Sequence, residues 1–121
     1  MPFKITDNGK LQETGAKEIL LAFNRENLIT LLNDIIAGGT QHSHQDMVYW
    51  VRGFYKYYNE LFENGEDIDF NLDKVLVDMD GQWIMWLFNS YSVDQLLELD
   101  LSKVKLPKEL LIDWQHRLET R

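Results

Sequence analysis

The residues best suited to chemistry are the carboxylates of residues 64–81, NGEDIDFNLDKVLVDMDG, which include five aspartates, one glutamate and one lysine. Carboxylates at short intervals can bind calcium, carry out acid–base catalysis, or form an acidic surface for a basic partner. Each of these uses makes different demands on the residues between the acids. The sequence can therefore be tested against each one.

A calcium loop of the EF-hand type needs oxygen ligands at its first, third and fifth positions, glycine at the sixth and glutamate at the twelfth. A window beginning at Asp67 supplies the first three ligands with Asp69 and Asn71. Its sixth residue is Leu72, however, and its twelfth is Asp78. The spacing therefore disfavours calcium, and we expect no bound metal ion.

A catalytic carboxylate pair would need two carboxyl groups on either side of a cleft, one of them with its pKa raised by apolar surroundings. Asp78 and Asp80 flank the most apolar segment of the chain and are the candidates. We instead expect Asp80 to cap a neighbouring helix or to pair with Arg25 or Arg52.

The fragment from His42 through His44 to Asp46 has the H-x-H-x-D pattern of some metal sites, but His116 is the only other histidine. Because such sites need further histidines, we expect His42 and His44 to be solvated loop residues. The sequence also lacks a nucleophile elbow, a P-loop and a dinucleotide fingerprint. We expect neither an enzyme nor a cofactor.

The negative charge is concentrated in one part of the chain. The formal net charge is −8, yet residues 1–59 are balanced and residues 101–121 sum to +2. Residues 60–100 hold eleven acids and only Lys74, which gives −10. Such a field repels nucleic acid and anionic membranes and attracts basic proteins.

These charges predict a surface for a basic protein partner. Tyrosines supply contact area at interfaces, and a rim of carboxylates speeds the encounter with a positively charged surface. The alternative is that the tyrosines cover the flank of the core while the acids only face water. The candidate partner-binding residues are Tyr49, Tyr57, Glu60, Glu63, Glu66, Asp67, Asp69 and Asp73.

Two helices are predicted from their end signals and apolar stripes. FNRENLITLLNDIIAGG has Asn24 as N-cap and Gly38 as terminator, and SHQDMVYWVRGFYKYYNELFENG opens with a Ser43/Asp46 capping box and closes at Gly65. The segment AKEILLAF before them fits either a short helix or a buried strand. The second helix is expected to bury Met47, Trp50, Val51, Phe54, Tyr58, Leu61 and Phe62.

Residues 74–88 fit two structures. A helix would align Leu72, Val75, Leu76, Met79, Trp83, Trp86 and Leu87 on one face and would run through Gly81. A β-hairpin would instead turn at DMDG. We favour the helix. With helices after Ser92 and Pro107, the fold predicted is an all-α bundle of four to six helices, with α+β as the alternative.

The remaining sequence features concern size and location. At 121 residues the chain is expected to form a single domain, 1–121. Asn8-Gly9 favours a short N-terminal β-hairpin. The sequence has no cysteine, no apolar signal segment and no apolar run long enough for a membrane span. We expect a soluble protein of the cytoplasm.

Residues 23–99 resemble the small helical immunity proteins of bacterial polymorphic toxin and contact-dependent inhibition systems. The resemblance rests on FNRENLITLLNDIIAGG, then SHQDMVYWV with Trp50, an acidic break, LDKVLVDMDG and finally YSVDQLLEL. Such proteins bind and block a cognate toxin domain, often a nuclease, and have no catalytic residues. The WIMWLF run and the first twenty residues depart from the pattern.

Three functional hypotheses follow. The first is an immunity protein, or stoichiometric inhibitor, that neutralises a basic toxin domain through the acidic residues 60–80. The second is a DNA mimic that sequesters a nucleic-acid-binding protein. The third is a small acidic calcium-binding module.

Overall fold

The computed structural model describes residues 3–5, 11–13 and 15–119. In this part of the chain the elements are strands β1 (Phe3–Ile5) and β2 (Leu11–Glu13), then helices α1 (Arg25–Ala37), α2 (His44–Glu63), α3 (Phe70–Ser90), α4 (Val93–Glu98) and α5 (Lys108–Glu119), with a 3₁₀ turn at Leu101–Lys103 before α5. The predicted all-α bundle is confirmed.

The two strands form an antiparallel pair, with Phe3 opposite Glu13 and Ile5 opposite Leu11. This pairing agrees with the expected N-terminal hairpin. The Asn8-Gly9 pair on which that prediction was based lies outside the described residues.

Helices α1 and α2 begin and end where their capping residues predict. The Asn24 side chain accepts a hydrogen bond from the Asn27 amide, and Gly38 ends α1 in the left-handed conformation. The Ser43/Asp46 capping box is complete. At the other end of α2, Gly65 takes a φ of 82°, a conformation that glycine adopts readily.

Residues 74–88 are helical, so the hairpin alternative is wrong. In a strand, Val75 and Val77 would share a face opposite to Leu76. In the structure Val75 and Leu76 are both fully buried, whereas Val77 is 46% exposed, which is the pattern of a helix. Of the predicted stripe, only Trp86 is not fully in the core.

The segment before α1 is neither a helix nor a strand. Residues 15–22 have no regular structure and lie along α2, held there by Ile19, which is buried, and by the Leu21 carbonyl, which accepts a 3.1 Å hydrogen bond from the Trp50 indole. The aromatic ring of Phe23 then lies against Trp50 and Phe54. A short apolar run thus covers a helix without forming one.

The core lies between α2, α3 and α5, with α1 packed on α5 and α2. Trp83 of α3 and Trp114 of α5 are fully buried at its centre. The expected burial of α2 holds for Met47, Trp50, Val51 and Phe54. It is wrong for Phe62, which is 56% exposed, while Tyr58 and Leu61 are half-buried. In the described part of the chain, no helix is both long and apolar enough to cross a lipid bilayer.

Candidate interaction surface

The two candidate tyrosines lie at different distances from the acidic residues. Tyr57 is 43% exposed and precedes Glu60 by one helical turn, with its ring 5.8 Å from that of Phe23. Tyr49 lies eleven residues before Glu60, about 16 Å along the helix axis. Its ring faces the Arg52 guanidinium at 5.0 Å. Only Tyr57 adjoins the acidic end of α2.

Four of the candidate acids stand on an exposed surface. Glu60 and Glu63 end α2, and Glu66 and Asp67 follow in the loop; all four are exposed. Among the described residues, none of these side chains has a hydrogen-bond or ion-pair partner. The last turn of α2 also contains no basic residue. These four carboxylates are therefore available to a partner.

Asp69 has an internal role instead. Its Oδ1 accepts hydrogen bonds from the amides of Asn71 and Leu72, which makes it the N-cap of α3. Its Oδ2 accepts a 2.8 Å hydrogen bond from Arg25. Both carboxylate oxygens are engaged within the fold, so a role of Asp69 in partner binding has no support in this geometry.

Asp73 lies in the first turn of α3 and is half-buried. Its Oδ1 is buried and has no hydrogen-bond partner among the described residues. Its position one turn into the helix favours the negative charge through the helix dipole. Asp73 therefore differs from the four exposed acids, because its side chain is half-buried.

Two phenylalanines that the sequence did not assign to a surface lie beside these acids. Phe62 and Phe70 are 56% and 61% exposed, and their rings meet edge to face at 6.2 Å between centroids. The sequence feature that could have predicted the exposure of Phe62 is its position in the last turn of α2, at the end of the apolar stripe. We name as the loop patch the exposed acids and these two rings: Glu60, Phe62, Glu63, Glu66, Asp67 and Phe70.

The backbone of the loop patch is fixed. The Glu66 amide donates a 2.9 Å hydrogen bond to the Leu61 carbonyl, and the Gly65 amide donates one of 3.0 Å to the Phe62 carbonyl. At the far end of the loop, the Asp69 amide donates to the Tyr58 hydroxyl at 2.9 Å. The loop is thus tied to α2 at both ends, so its side chains start from a defined backbone.

The histidine prediction was wrong for His44. Residues around it line a cleft of about 920 Å³ between the start of α2 and the chain leading to α5. His44 is buried, and its Nδ1 accepts a 2.9 Å hydrogen bond from the Leu106 amide. Burial, aided by the nearby Lys105 charge, lowers the pKa of His44 to about 4. His44 is therefore a neutral side chain that fixes the Leu106 backbone amide inside the fold.

The H-x-H-x-D fragment does not assemble a metal site. Both oxygens of Asp46 accept backbone hydrogen bonds, from Ser43 and from Lys17. Within the described part of the chain, no three histidine, aspartate or glutamate side chains are grouped so that they could hold a metal ion. Of the EF-hand-like window that starts at Asp67, residues 70–78 are helical rather than a loop.

Asp78 and Asp80 do not face each other across a cleft. Asp78 accepts 2.8 Å hydrogen bonds from Trp114 and Arg117, while Asp80 pairs with Arg52 at 2.5 Å, as one of the sequence alternatives predicted. Partial burial raises the pKa of Asp78, but these hydrogen bonds outweigh it and hold the pKa below its ordinary value. A general acid needs the opposite shift.

No protein-family model, curated protein or solved structure significantly matches this chain. The resemblance to immunity proteins therefore rests on sequence features alone.

Proposed function

We propose that this protein is a stoichiometric inhibitor of the immunity type, which binds a basic partner protein through the loop patch and thereby blocks it. The observation that carries the proposal is the group of four unpaired carboxylates around two exposed phenylalanine rings. Three properties of the loop patch support the proposal: its charge, its aromatic contact area and its ordered backbone.

The placement of the acids works against the stability of the fold. Glu60 and Glu63 stand in the last turn of α2, where the helix dipole disfavours negative charge by about 0.3–1 kcal/mol per residue. No basic side chain in that turn offsets them. Charges that the fold does not use, gathered on one surface, are suited to steering a partner of opposite sign.

The two phenylalanines provide apolar contact area, which charged side chains alone do not supply. Binding energy at interfaces is concentrated in a few aromatic anchors surrounded by a polar rim. Phe62 and Phe70 form one continuous aromatic pair, and Glu63, Glu66 and Asp67 lie between them along the chain. The loop patch therefore combines an exposed aromatic pair with exposed carboxylates.

Rigidity lowers the cost of association. A loop that must be ordered on binding loses conformational entropy, which subtracts from the affinity. The hydrogen bonds at Gly65, Glu66 and Asp69 hold the backbone of this loop before any partner arrives. The loop patch is thus preorganised.

The partner favoured by this surface is a toxin domain with a basic active site, such as a nuclease. An enzyme that cleaves RNA or DNA presents cations to phosphate groups, and carboxylates fixed on a rigid loop can occupy the same positions. The inhibitor then excludes the nucleic acid from the site.

The test begins with identifying the partner by affinity capture at low and at high salt, followed by binding kinetics with the purified partner. The test variant carries Glu60→Gln, Glu63→Gln, Glu66→Gln and Asp67→Asn together. The control removes four exposed acids elsewhere: Glu18→Gln, Asp34→Asn, Glu98→Gln and Glu119→Gln. Both variants change the net charge equally, so a difference between them reports the position of the charge.

We expect the test variant to lower the association rate at least tenfold at low salt and the control to lower it much less. Phe62→Ala and Phe70→Ala should instead raise the dissociation rate. Co-expression of the wild-type protein should protect cells from the partner, and the test variant should protect poorly. A partner that binds both variants equally and ignores salt would refute the proposal. A DNA-binding partner that is not toxic, from which duplex DNA displaces the protein and against which the protein gives cells no protection, would favour the DNA-mimic hypothesis.

A further inference from the structure

The cleft of about 920 Å³ beside His44 shares no residue with the loop patch. It lies between the end of α1, the start of α2 and the chain that leads from α4 to α5. Its volume is within the range of about 300–1,000 Å³ that small-molecule sites occupy. We name it the His44 cleft. The buried apolar side chains that line it are Ile35, Leu101, Leu106 and Leu111.

The ring of His44 presents a hydrogen-bond donor to this cleft. Its Nδ1 accepts the amide hydrogen of Leu106, so in the neutral ring the proton is on Nε2. Nε2 has no acceptor among the described residues and is not one of their buried unpaired atoms, so it is in contact with the cleft. Only 9% of His44 is exposed, and a polar group this buried normally has a partner. The acceptor must therefore come from outside the chain, as water or as a ligand.

Three exposed lysines, Lys17, Lys105 and Lys108, also line the cleft. None of their ammonium groups has an ion-pair partner among the described residues. Lys105 directly precedes the residue that His44 holds, and its positive charge helps to lower the pKa of that histidine. A ligand beside Nε2 would therefore experience the same positive charge.

The acids of the cleft limit how much negative charge a ligand can carry. Both oxygens of Asp46 accept hydrogen bonds from backbone amides, and Oδ1 of Asp100 accepts two from Ser102. Glu98 is exposed and adds a further negative charge. Glu98 and Asp100 would repel a doubly charged group such as phosphate more strongly than a singly charged one. The cleft therefore favours a monoanion.

We propose that the His44 cleft binds a small organic monocarboxylate with an aliphatic chain. One carboxylate oxygen accepts the hydrogen of His44 Nε2, and the Lys105 ammonium group lies close enough to offset the negative charge. The aliphatic chain lies against Leu101, Leu106 and Leu111, where the burial of apolar surface adds affinity. This site does not depend on the proposed inhibitor function, because the two surfaces have no residue in common.

Hexanoate is the probe, and NMR spectroscopy follows the backbone amides and the Nε2–H group of His44. We expect saturable shifts at residues that line the cleft, with a dissociation constant of about 1 mM, as for a ligand with few atoms. The Nε2 proton should move downfield when a carboxylate replaces water as its acceptor. Acetate, which lacks the chain, and 1-hexanol, which lacks the charge, should each bind about tenfold more weakly.

Two variants remove the polar contacts but preserve the fold. His44→Asn keeps an acceptor for the Leu106 amide but has no donor at the position of Nε2, and it should weaken hexanoate binding about tenfold. Lys105→Met removes the charge from a long exposed side chain and should weaken binding about fivefold. The control Lys56→Met changes an exposed lysine of α2 outside the cleft and should bind as the wild type does.

The loop-patch variant with four neutralised acids should also bind hexanoate as the wild type does, so failure of this proposal is distinguishable from failure of the inhibitor proposal. The absence of saturable shifts at about ten times the expected dissociation constant would show that water alone occupies the cleft. Equal binding of acetate or inorganic phosphate would indicate a simple anion site, and equal binding of 1-hexanol an apolar one. Unchanged binding in His44→Asn or in Lys105→Met would show that the carboxylate lies elsewhere. Each of these results overturns the proposal.

Discussion

Arg25 donates a 2.8 Å hydrogen bond to Asp69, which joins the first turn of α1 to the N-cap of α3 across 44 residues of sequence. The same guanidinium donates to the backbone carbonyl of Leu118 near the end of α5. Only 9% of the Arg25 side chain is exposed. The buried Arg25 guanidinium thus connects three helices. Asp69, which pairs with it, stabilises the fold.

Asp67 and Asp69 are two positions apart, and changing each to asparagine should therefore affect the free energy of unfolding differently. Asp69→Asn keeps the N-cap oxygen but leaves the buried Arg25 without its counter-charge, and it should lower the free energy of unfolding by about 1–3 kcal/mol. Asp67→Asn, at an exposed and unpaired side chain, should change it by less than about 0.5 kcal/mol. Urea denaturation of both variants measures the difference. Equal stability of the two would show that the Arg25 pair contributes nothing.

His44 should make the protein sensitive to mild acid. Its pKa falls from 6.5 to about 4 on folding, so the unfolded chain binds more protons between these values and stability declines as the pH falls through that window. The full shift corresponds to a loss of ~3 kcal/mol, which is the upper limit of this effect.

His44→Asn is the matched variant, because its side-chain oxygen can accept the hydrogen bond from Leu106 but does not titrate. Denaturation midpoints measured from pH 7 to pH 4 should fall less steeply in this variant than in the wild type. Parallel pH profiles for the two proteins would show that other groups cause the acid sensitivity.

Asp78 should contribute stability that is lost only in stronger acid. Its pKa lies below the ordinary 3.8, so the contribution is present above that value and disappears as the pH falls through the pKa of the folded protein. Asp78→Asn should destabilise by about 1 kcal/mol at neutral pH, because hydrogen bonds from Trp114 and Arg117 lose a charged acceptor. Asp113, which is 59% exposed and 3.6 Å from the same arginine, is the control.

Asp113→Asn should have almost no effect on the urea midpoint, as expected for an exposed ion pair. A larger loss of stability in Asp113→Asn than in Asp78→Asn would contradict the assignment.

The glycines inside two helices should also differ when changed to alanine. Gly81→Ala adds a methyl group in open space and should stabilise the folded monomer by about 0.5–1 kcal/mol. At Gly53, the added atom would come within 2.9 Å of the Phe23 ring, so Gly53→Ala should gain less or destabilise. Thermal denaturation of the two variants and the wild type makes the comparison. An equal gain at both positions would mean that Phe23 moves aside at no cost.

The sequence by itself determined the helical elements and the ends of α1 and α2. Caps such as Asn24, Ser43 and Gly38 act through hydrogen bonds to residues a few positions away, so their effect can be read locally. The apolar stripe of α3 is also a local pattern, because helical periodicity places Leu72, Val75 and Leu76 on one side without reference to other elements.

Only the tertiary structure decided what the acids do. Asp67 and Asp69 look alike in sequence, and the difference between them is Arg25, which lies more than forty residues away. His44 likewise became a buried acceptor because Leu106 reaches it from 62 positions further along the chain. The exposure of Phe62 depends in the same way on which other elements pack against it. Long-range contacts set burial and charge pairing, and a short sequence window contains no information about them.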